Sequence, residues 1–379
     1  MQFVKQRLPM ILAAILLVII AVSMLTGHWH PSSATGIAVL GAGITLDVFK
    51  ADGFSLIGMT DAINKIPFIP GRAGKALSWD EQGVETTSIM LEEQNGVLTL
   101  INPSPRGGPG DVIAKQKRTA RVLVIPHYQR DDKIMADEVQ GVRAFGTENV
   151  LLTVQSKVTA RMTEHVQSGF DPTLEYQRMG ALKGIILNGD GSTLYNLFTE
   201  FNVAQPTEVA FDLTAASPAS GAVRTKCTQI VRTIGNALGG IPYTGVGAFC
   251  SDTFWDDLIA NKEVRDTYQA QEAAQLRAGA AWVTLSYGGI LFENYRGSVG
   301  NTQFATTDKA HFFPLGVPGL FRTRFAPADY IETVNTIGLP RYAKQWEMDN
   351  GKGINIEMQS NALSYCTRPG VLVQGRRGA

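Results

Sequence analysis

The sequence predicts a mixed α+β subunit, and three features predict it. Residues 147–166 place an apolar side chain at every fourth position (Val150, Val154, Val158, Met162, Val166), the stripe of one helix face. Short β-branched runs at 84–90, 96–101 and 122–125 stand between polar connections, one of them the breaker cluster NPSPRGGPGD at 102–111. Residues 312–346 are interrupted by Pro314, Pro318, Pro327 and Pro340, with Phe312, Phe313, Phe321, Phe325, Tyr330, Tyr342 and Trp346 between and around them. Prolines fix φ and end regular structure, and aromatic rings supply contact area. That stretch therefore builds a shaped wall and offers little for bond-making.

Taken in order, residues 8–29 contain no Asp, Glu, Lys or Arg, and Lys5 and Arg7 precede them. Such a segment is just long enough to span a membrane, which takes about 20 apolar residues, and it is also built like a signal peptide. Residues 47–66 predict an extended arm and a short helix, capped by Asp61 and ended by Pro67 and Pro70. Lys115, Lys117, Arg118 and Arg121 lead into the strand at 122–125. They fit either a solvated strand end or a projecting loop aimed at an acidic surface. The helix over 147–166, capped by Thr147, spans about 30 Å at 1.5 Å per residue. Gly169-Phe170-Asp171-Pro172 interrupts it, and a second helix occupies 173–187. Asn188-Gly189-Asp190-Gly191 is a hairpin turn, without the further acidic residues of a calcium loop. A linker at 215–221 precedes a helix over 223–238. A strand at 246–251 follows, then a helix capped by Asp252 or Thr253, then strands at 282–285 and 289–295.

At 379 residues the chain holds one large or two moderate domains, and 44% hydrophobic content furnishes a sizeable core. Charged residues are only 18%, which suits surfaces buried against copies of the same chain, although a thinly charged monomer has the same composition. Net charge is zero, without the basic excess of a dedicated nucleic-acid binder. Cys227, Cys250 and Cys366 are odd in number and widely spaced, which predicts free thiols rather than a zinc or redox motif. GxSxG, Walker and HExxH motifs are missing, and Gly235, Gly239 and Gly240 lack the spacing of a dinucleotide fingerprint. His28 and His30 have no third ligand nearby, and His165 ends a predicted helix, where the dipole favours a cation. The carboxylate pairs Glu92-Glu93, Asp131-Asp132, Asp137-Glu138 and Asp256-Asp257 are adjacent in sequence and read as surface charge. No catalytic residue, metal ligand or cofactor is expected.

The run PADYIETVNTIGLPRYAK (residues 327–344) resembles the carboxyl-terminal signature of the lambda-like major capsid proteins of tailed phages, the E-type family. TLDVFKADGFSLIGMTDAINKIPFIPGR (45–72), LNGDGSTLYNLFTEF (187–201) and IEMQSNALSYCTRPGVLV (356–373) extend the resemblance in the family's order. It implies the tailed-phage and herpesvirus major capsid fold. The expected parts are an N-terminal arm (45–83), an extended β-loop region (84–130) and a peripheral domain with a spine helix (131–204). An axial domain (205–335) and a C-terminal return to the peripheral domain (336–379) complete it. It implies pentamers and hexamers closing into an icosahedral shell, assembled in a host cytoplasm around double-stranded DNA without sequence-specific binding. Scaffold, portal and decoration proteins are the implied partners, and a membrane is not. The loop contact is expected at Lys115, Lys117, Arg118 and Arg121, and capsomer packing at Phe312, Phe321, Phe325 and Tyr330. Residues 1–44 fit this poorly. They call for a start placed too far upstream, removal by processing, or a membrane-anchored or secreted envelope protein instead. An enzyme of unknown type is a third class, supported by size alone.

Overall fold

The computed structural model describes residues 55–65, 71–93, 119–139, 150–215, 220–265, 284–299, 302–349 and 351–378, all within the unit 53–379. Helix α1 (Leu56–Lys65) starts earlier than the sequence predicts. Ser55 caps it: its hydroxyl accepts from the Gly58 N–H at 3.1 Å, while Asp61 is exposed inside the helix. After α2 (Arg72–Ala76) and β1 (Trp79–Gly83), β2 (Ser88–Glu93) and β3 (Thr119–Val124) form an antiparallel ribbon. The strand expected at 96–101 and the breaker cluster at 102–111 lie outside the described residues. β4 (Tyr128–Met135) has no counterpart in the sequence prediction, because YQRDDKIM is mostly polar and only Ile134 in it is buried. Its partner strand, not its own pattern, makes it a strand.

Helix α3 (Val150–His165) carries the expected stripe: Val158, Met162 and Val166 are buried, and Phe170 continues it. Its expected cap, Thr147, lies outside the described residues. The expected break at 169–172 is a single wide turn, Val166–Phe170, in which the Asp171 N–H donates to the Val166 carbonyl five residues back. Pro172 has no N–H to give and crowds the carbonyl four residues before it, and widening the turn accommodates both. Helix α4 (Asp171–Lys183) continues directly and stops at Gly184, whose φ of +78° is the left-handed cap glycine favours. The last residues expected to be helical instead form β5 (Ile185–Leu187). It pairs with β6 (Thr193–Asn196) across the expected turn, where the Gly191 N–H donates to the Asn188 carbonyl at 3.0 Å.

β7 (Val209–Ala210), α5 (Ala222–Leu238), β8 (Gly245–Cys250) and α6 (Asp252–Ala260) follow. Ser251 caps α6 by accepting from the Phe254 N–H at 3.4 Å, in place of the predicted Asp252 or Thr253. Then come β9 (Thr284–Tyr287), β10 (Ile290–Asn294), and a small hairpin of β11 (Ser298–Val299) and β12 (Thr302–Gln303). β13 (Lys309–Leu315), β14 (Phe321–Phe325), β15 (Tyr342–Glu347), β16 (Gly353–Ser360), β17 (Ala362–Cys366) and β18 (Val373–Arg376) complete the described strands.

Three sheets organise these elements. A six-stranded mixed sheet runs β7-β18-β13-β8-β10-β9, and two three-stranded sheets run β1-β14-β17 and β15-β16-β4. β8 and β13 are buried at almost every position, as strands covered on both faces are. Phe312 on β13 stacks on Phe211 with ring centroids 5.8 Å apart and meets Phe292 edge-on at 5.9 Å; Phe313 packs on Phe249 at 4.9 Å. Each such ring contributes roughly 1.5–3 kcal/mol by burial. Gly375 on β18 leaves room for that stack: a Cβ there would stand 2.8 Å from the Phe312 ring and 2.9 Å from Phe211. The C-terminal segment 336–379 divides. β16 pairs with β4, whereas β18 pairs with β13 in the six-stranded sheet.

Candidate interaction surfaces

Among the described residues, the buried arginines and carboxylates are held by partners, and several of these contacts tie α4 to its neighbours. The Glu175 carboxylate accepts from the Ala73 and Gly74 N–H groups at 2.7 and 3.1 Å and from the Tyr295 hydroxyl at 2.8 Å. Arg72 donates to Glu293 at 2.7 Å, and the buried Arg178 donates to Glu81. Arg341 donates to Asp171 at 2.6 Å, and Arg324 to Asp80 at 2.8 Å. These carboxylates are engaged by arginines or amides, an arrangement that fixes position and leaves none poised as a general base. A cavity of about 300 Å³ between α1, α4 and β14 is lined by members of the same pairs, among them Glu81, Asp171, Arg178 and Arg341.

The other reactive types are equally muted. Cys227, Cys250 and Cys366 are free and buried, and burial pushes the Cys227 and Cys366 thiols up to about 12, away from the nucleophilic thiolate. His311 is fully enclosed; burial, with Lys183 and Lys309 nearby, lowers it to about 3, so it is neutral at pH 7. His165 is the last residue of α3, as expected, although the chain runs on through the wide turn into α4. Its Nε2 lies 2.8 Å from an Asp132 oxygen. Burial raises the Asp132 carboxyl, but hydrogen bonds from His165 and the Lys133 N–H outweigh it and hold the group below its ordinary value. Asp131 accepts from Gln129 at 2.8 Å, so the adjacent pair diverges, as alternate strand positions must. Among the described residues no group of His, Cys, Asp and Glu is arranged to hold a metal.

Of the four basic residues singled out in the sequence, Arg121 sits on β3 with a guanidinium nitrogen 3.5 Å from the Thr199 carbonyl. Lys115, Lys117 and Arg118 lie outside the described residues. The aromatic residues expected at a subunit contact are inside this subunit. Phe312, Phe321, Phe325 and Tyr330 are 0, 2, 4 and 8% exposed, so their rings have almost no area to offer a neighbour. Phe312 and Phe321 pack into the main core from β13 and β14, and Tyr330, on no strand, packs with Ala328 and Tyr342 in a smaller cluster.

Exposed apolar side chains gather at two other places. On the β2–β3 ribbon, Ile89 and Leu123 face the core, while Met90, Val122 and Val124 face out and are exposed. On the turn after Tyr330, Ile331, Val334 and Ile337 are 91, 65 and 62% exposed, with Leu339 beside them. That turn is firmly held. The Thr333 hydroxyl donates to the Ala328 carbonyl at 2.7 Å, and the Thr336 hydroxyl donates to the Thr333 carbonyl at 2.8 Å. The Gly338 N–H donates to the Val84 carbonyl at 2.9 Å, and a Cβ at 338 would meet the Phe325 carbonyl oxygen at 2.0 Å. In the sequence the only signal for these residues is a set of branched aliphatics between Pro327 and Pro340 without the alternation of a half-buried strand.

A family model for the phage major capsid protein E matches residues 55–377. The major capsid protein of Salmonella phage Felix O1 (isolate Felix O1-VT1) is 25% identical over 362 residues, covering 86% of this chain and 97% of the relative. The major capsid protein of Pseudomonas phage KPP10 is 27% identical over 341 residues, covering 84% and 96%. The solved capsid structure of cyanophage P-SCSP1u overlaps 79% of this chain and 86% of its own, at 12% identity and a TM-score of 0.46.

Proposed function

The chain belongs to the phage major capsid protein E family, and from that premise we propose how its copies join. It is a structural protein of the virion, a tailed-phage major capsid protein whose copies form an icosahedral shell, and not an enzyme. The observation that carries this is the family match over residues 55–377, together with relatives that align along almost their whole length.

Copies associate as pentamers and hexamers around double-stranded DNA, through many modest contacts that a closed symmetric shell sums. Scaffold and portal proteins, with a decoration protein on the finished shell, are the partners this role calls for. The arm at 45–83, the loop region at 84–130 and the split between peripheral (131–204) and axial (205–335) parts belong to the same proposal. The β4–β16 pairing supports a peripheral return for the first half of 336–379, and β18 belongs with the axial sheet. The zero net charge favours enclosing DNA over gripping it. The basic run Lys115, Lys117, Arg118 and Arg121 is assigned to the loop contact.

Electron microscopy of the chain expressed alone and with its neighbouring gene products tests this. Polyhedra or tubes are expected; material that stays unassembled at high concentration with partners supplied overturns it. Arg118→Glu with Arg121→Glu is expected to leave a soluble subunit that forms no shells. Normal shells from that variant would remove the basic run from the contact.

A further inference from the structure

We propose that the cavity between α1, α4 and β14 is a binding site for a small organic monocarboxylate. The charged end of that ligand meets Lys65 and two buried arginines, and its apolar stem lies against Phe170, Leu174 and Phe325. The site belongs to the single subunit and goes beyond the shell reading, which neither assigns nor needs a ligand. A volume of about 300 Å³ stands at the small end of ligand pockets, room for one small molecule and too little for a peptide segment. Its walls come from α1, β1, α4, β14 and β16, so a bound acid ties the end of α1 to elements far away in sequence.

The charge of the ligand follows from the lining. Among the described residues, the charged side chains on the walls are Lys65, Glu81, Asp171, Arg178 and Arg341. Arg178 donates to Glu81, and Arg341 donates to Asp171 at 2.6 Å, so those four cancel. Lys65, in the last turn of α1, has no ion-pair partner among the described residues, which leaves one positive charge over. One spare positive charge calls for a monoanion; a dianion such as phosphate would leave a negative charge unmatched beside Glu81 and Asp171. Arg178 and Arg341 are 1 and 6% exposed, so their fields are screened little by water, and a planar guanidinium suits a carboxylate better than a spherical ion. The remaining walls decide the rest of the molecule. Phe170, Leu174, Phe325 and Pro340 are apolar, and an inorganic anion would leave them uncovered where a hydrocarbon stem would not.

The test is calorimetric titration of the unassembled full-length chain with hexanoate at constant ionic strength, with hexylammonium and hexanol as controls. Saturable binding of hexanoate and a raised melting temperature are expected, with neither control binding. No binding of hexanoate overturns the proposal. So does binding of either control as strong as that of hexanoate, which would show an unselective apolar hollow. Lys65 is exposed, so Lys65→Met keeps the fold and most of the stem while removing the charge. It is expected to weaken hexanoate by roughly tenfold or more, and unchanged affinity overturns the proposal. Leu174→Trp fills the cavity and is expected to abolish binding with the circular dichroism spectrum unchanged; full affinity in that variant places hexanoate elsewhere and overturns the proposal. The titration needs no assembly, so a chain that forms no particles defeats the shell reading and leaves this site to be judged by its own result.

Discussion

Residues 309–325 and residues 327–339 are neighbours in sequence, and both are rich in large apolar side chains, yet they serve opposite ends. β13 pairs with β8 and β18, and β14 pairs with β1 and β17. Both strands are buried along most of their length, on both faces, and the phenylalanines close the core. The later segment is bounded by Pro327 and Pro340 and contains Asn335 at a φ of +58°. Its hydroxyls cap its own carbonyls, so its aliphatic side chains have nowhere to go but outward. The difference lies in packing rather than in hydrophobicity: the side chains of the strands are enclosed, and those of the 331–339 turn are not.

The comparison can be broken most sharply at Phe312. Phe312→Ala is expected to cost about 3–5 kcal/mol, read from urea unfolding of the unassembled subunit. A loss under about 1 kcal/mol would mean that the stack is not the core. Of similar size is Arg341→Met, which leaves the buried Asp171 without its guanidinium; about 3–5 kcal/mol is expected. Adding Asp171→Leu should return much of it, and a double variant no better than the single one contradicts the pairing.

Acid gives a graded effect, each pH unit of which is smaller than either substitution. The folded His311 sits at about 3, below its ordinary 6.5, so between those values the unfolded chain binds a proton that the folded one does not. Stability therefore falls as pH drops from 6.5 toward 3, by at most about 1.4 kcal/mol per unit from this group. His311→Leu should flatten the pH dependence of the melting temperature across that range; an unchanged slope removes His311 from the account. The smallest effect on folding belongs to the turn. Ile331→Ser with Ile337→Ser should change subunit stability by no more than about 0.5 kcal/mol while reducing particle yield. A large fall in stability would place those side chains in the core with Phe312.

Local features were legible in the chain. The four-residue stripe ending at Val166 announced α3, and Asn188-Gly189-Asp190-Gly191 announced the turn between β5 and β6, because both signals lie within a few residues. The motifs at 45–72, 187–201, 327–344 and 356–373 announced the family. Distant pairing was not legible. β4 is a strand because β16, more than 200 residues later, supplies its partners, and nothing in YQRDDKIM says so. Whether Phe312 or Ile331 faces outward likewise depends on which strands flank each one. The accommodation of Pro172 by a widened turn was hidden for another reason: proline announces a problem, and the fold chose a mild solution.

β18 closes one edge of β13 and sets Gly375 against the rings of Phe312 and Phe211. Cutting the chain before Val373 would bare that edge and remove the one residue whose missing Cβ lets the two rings stack, so the aromatic core and the sheet edge would be lost together.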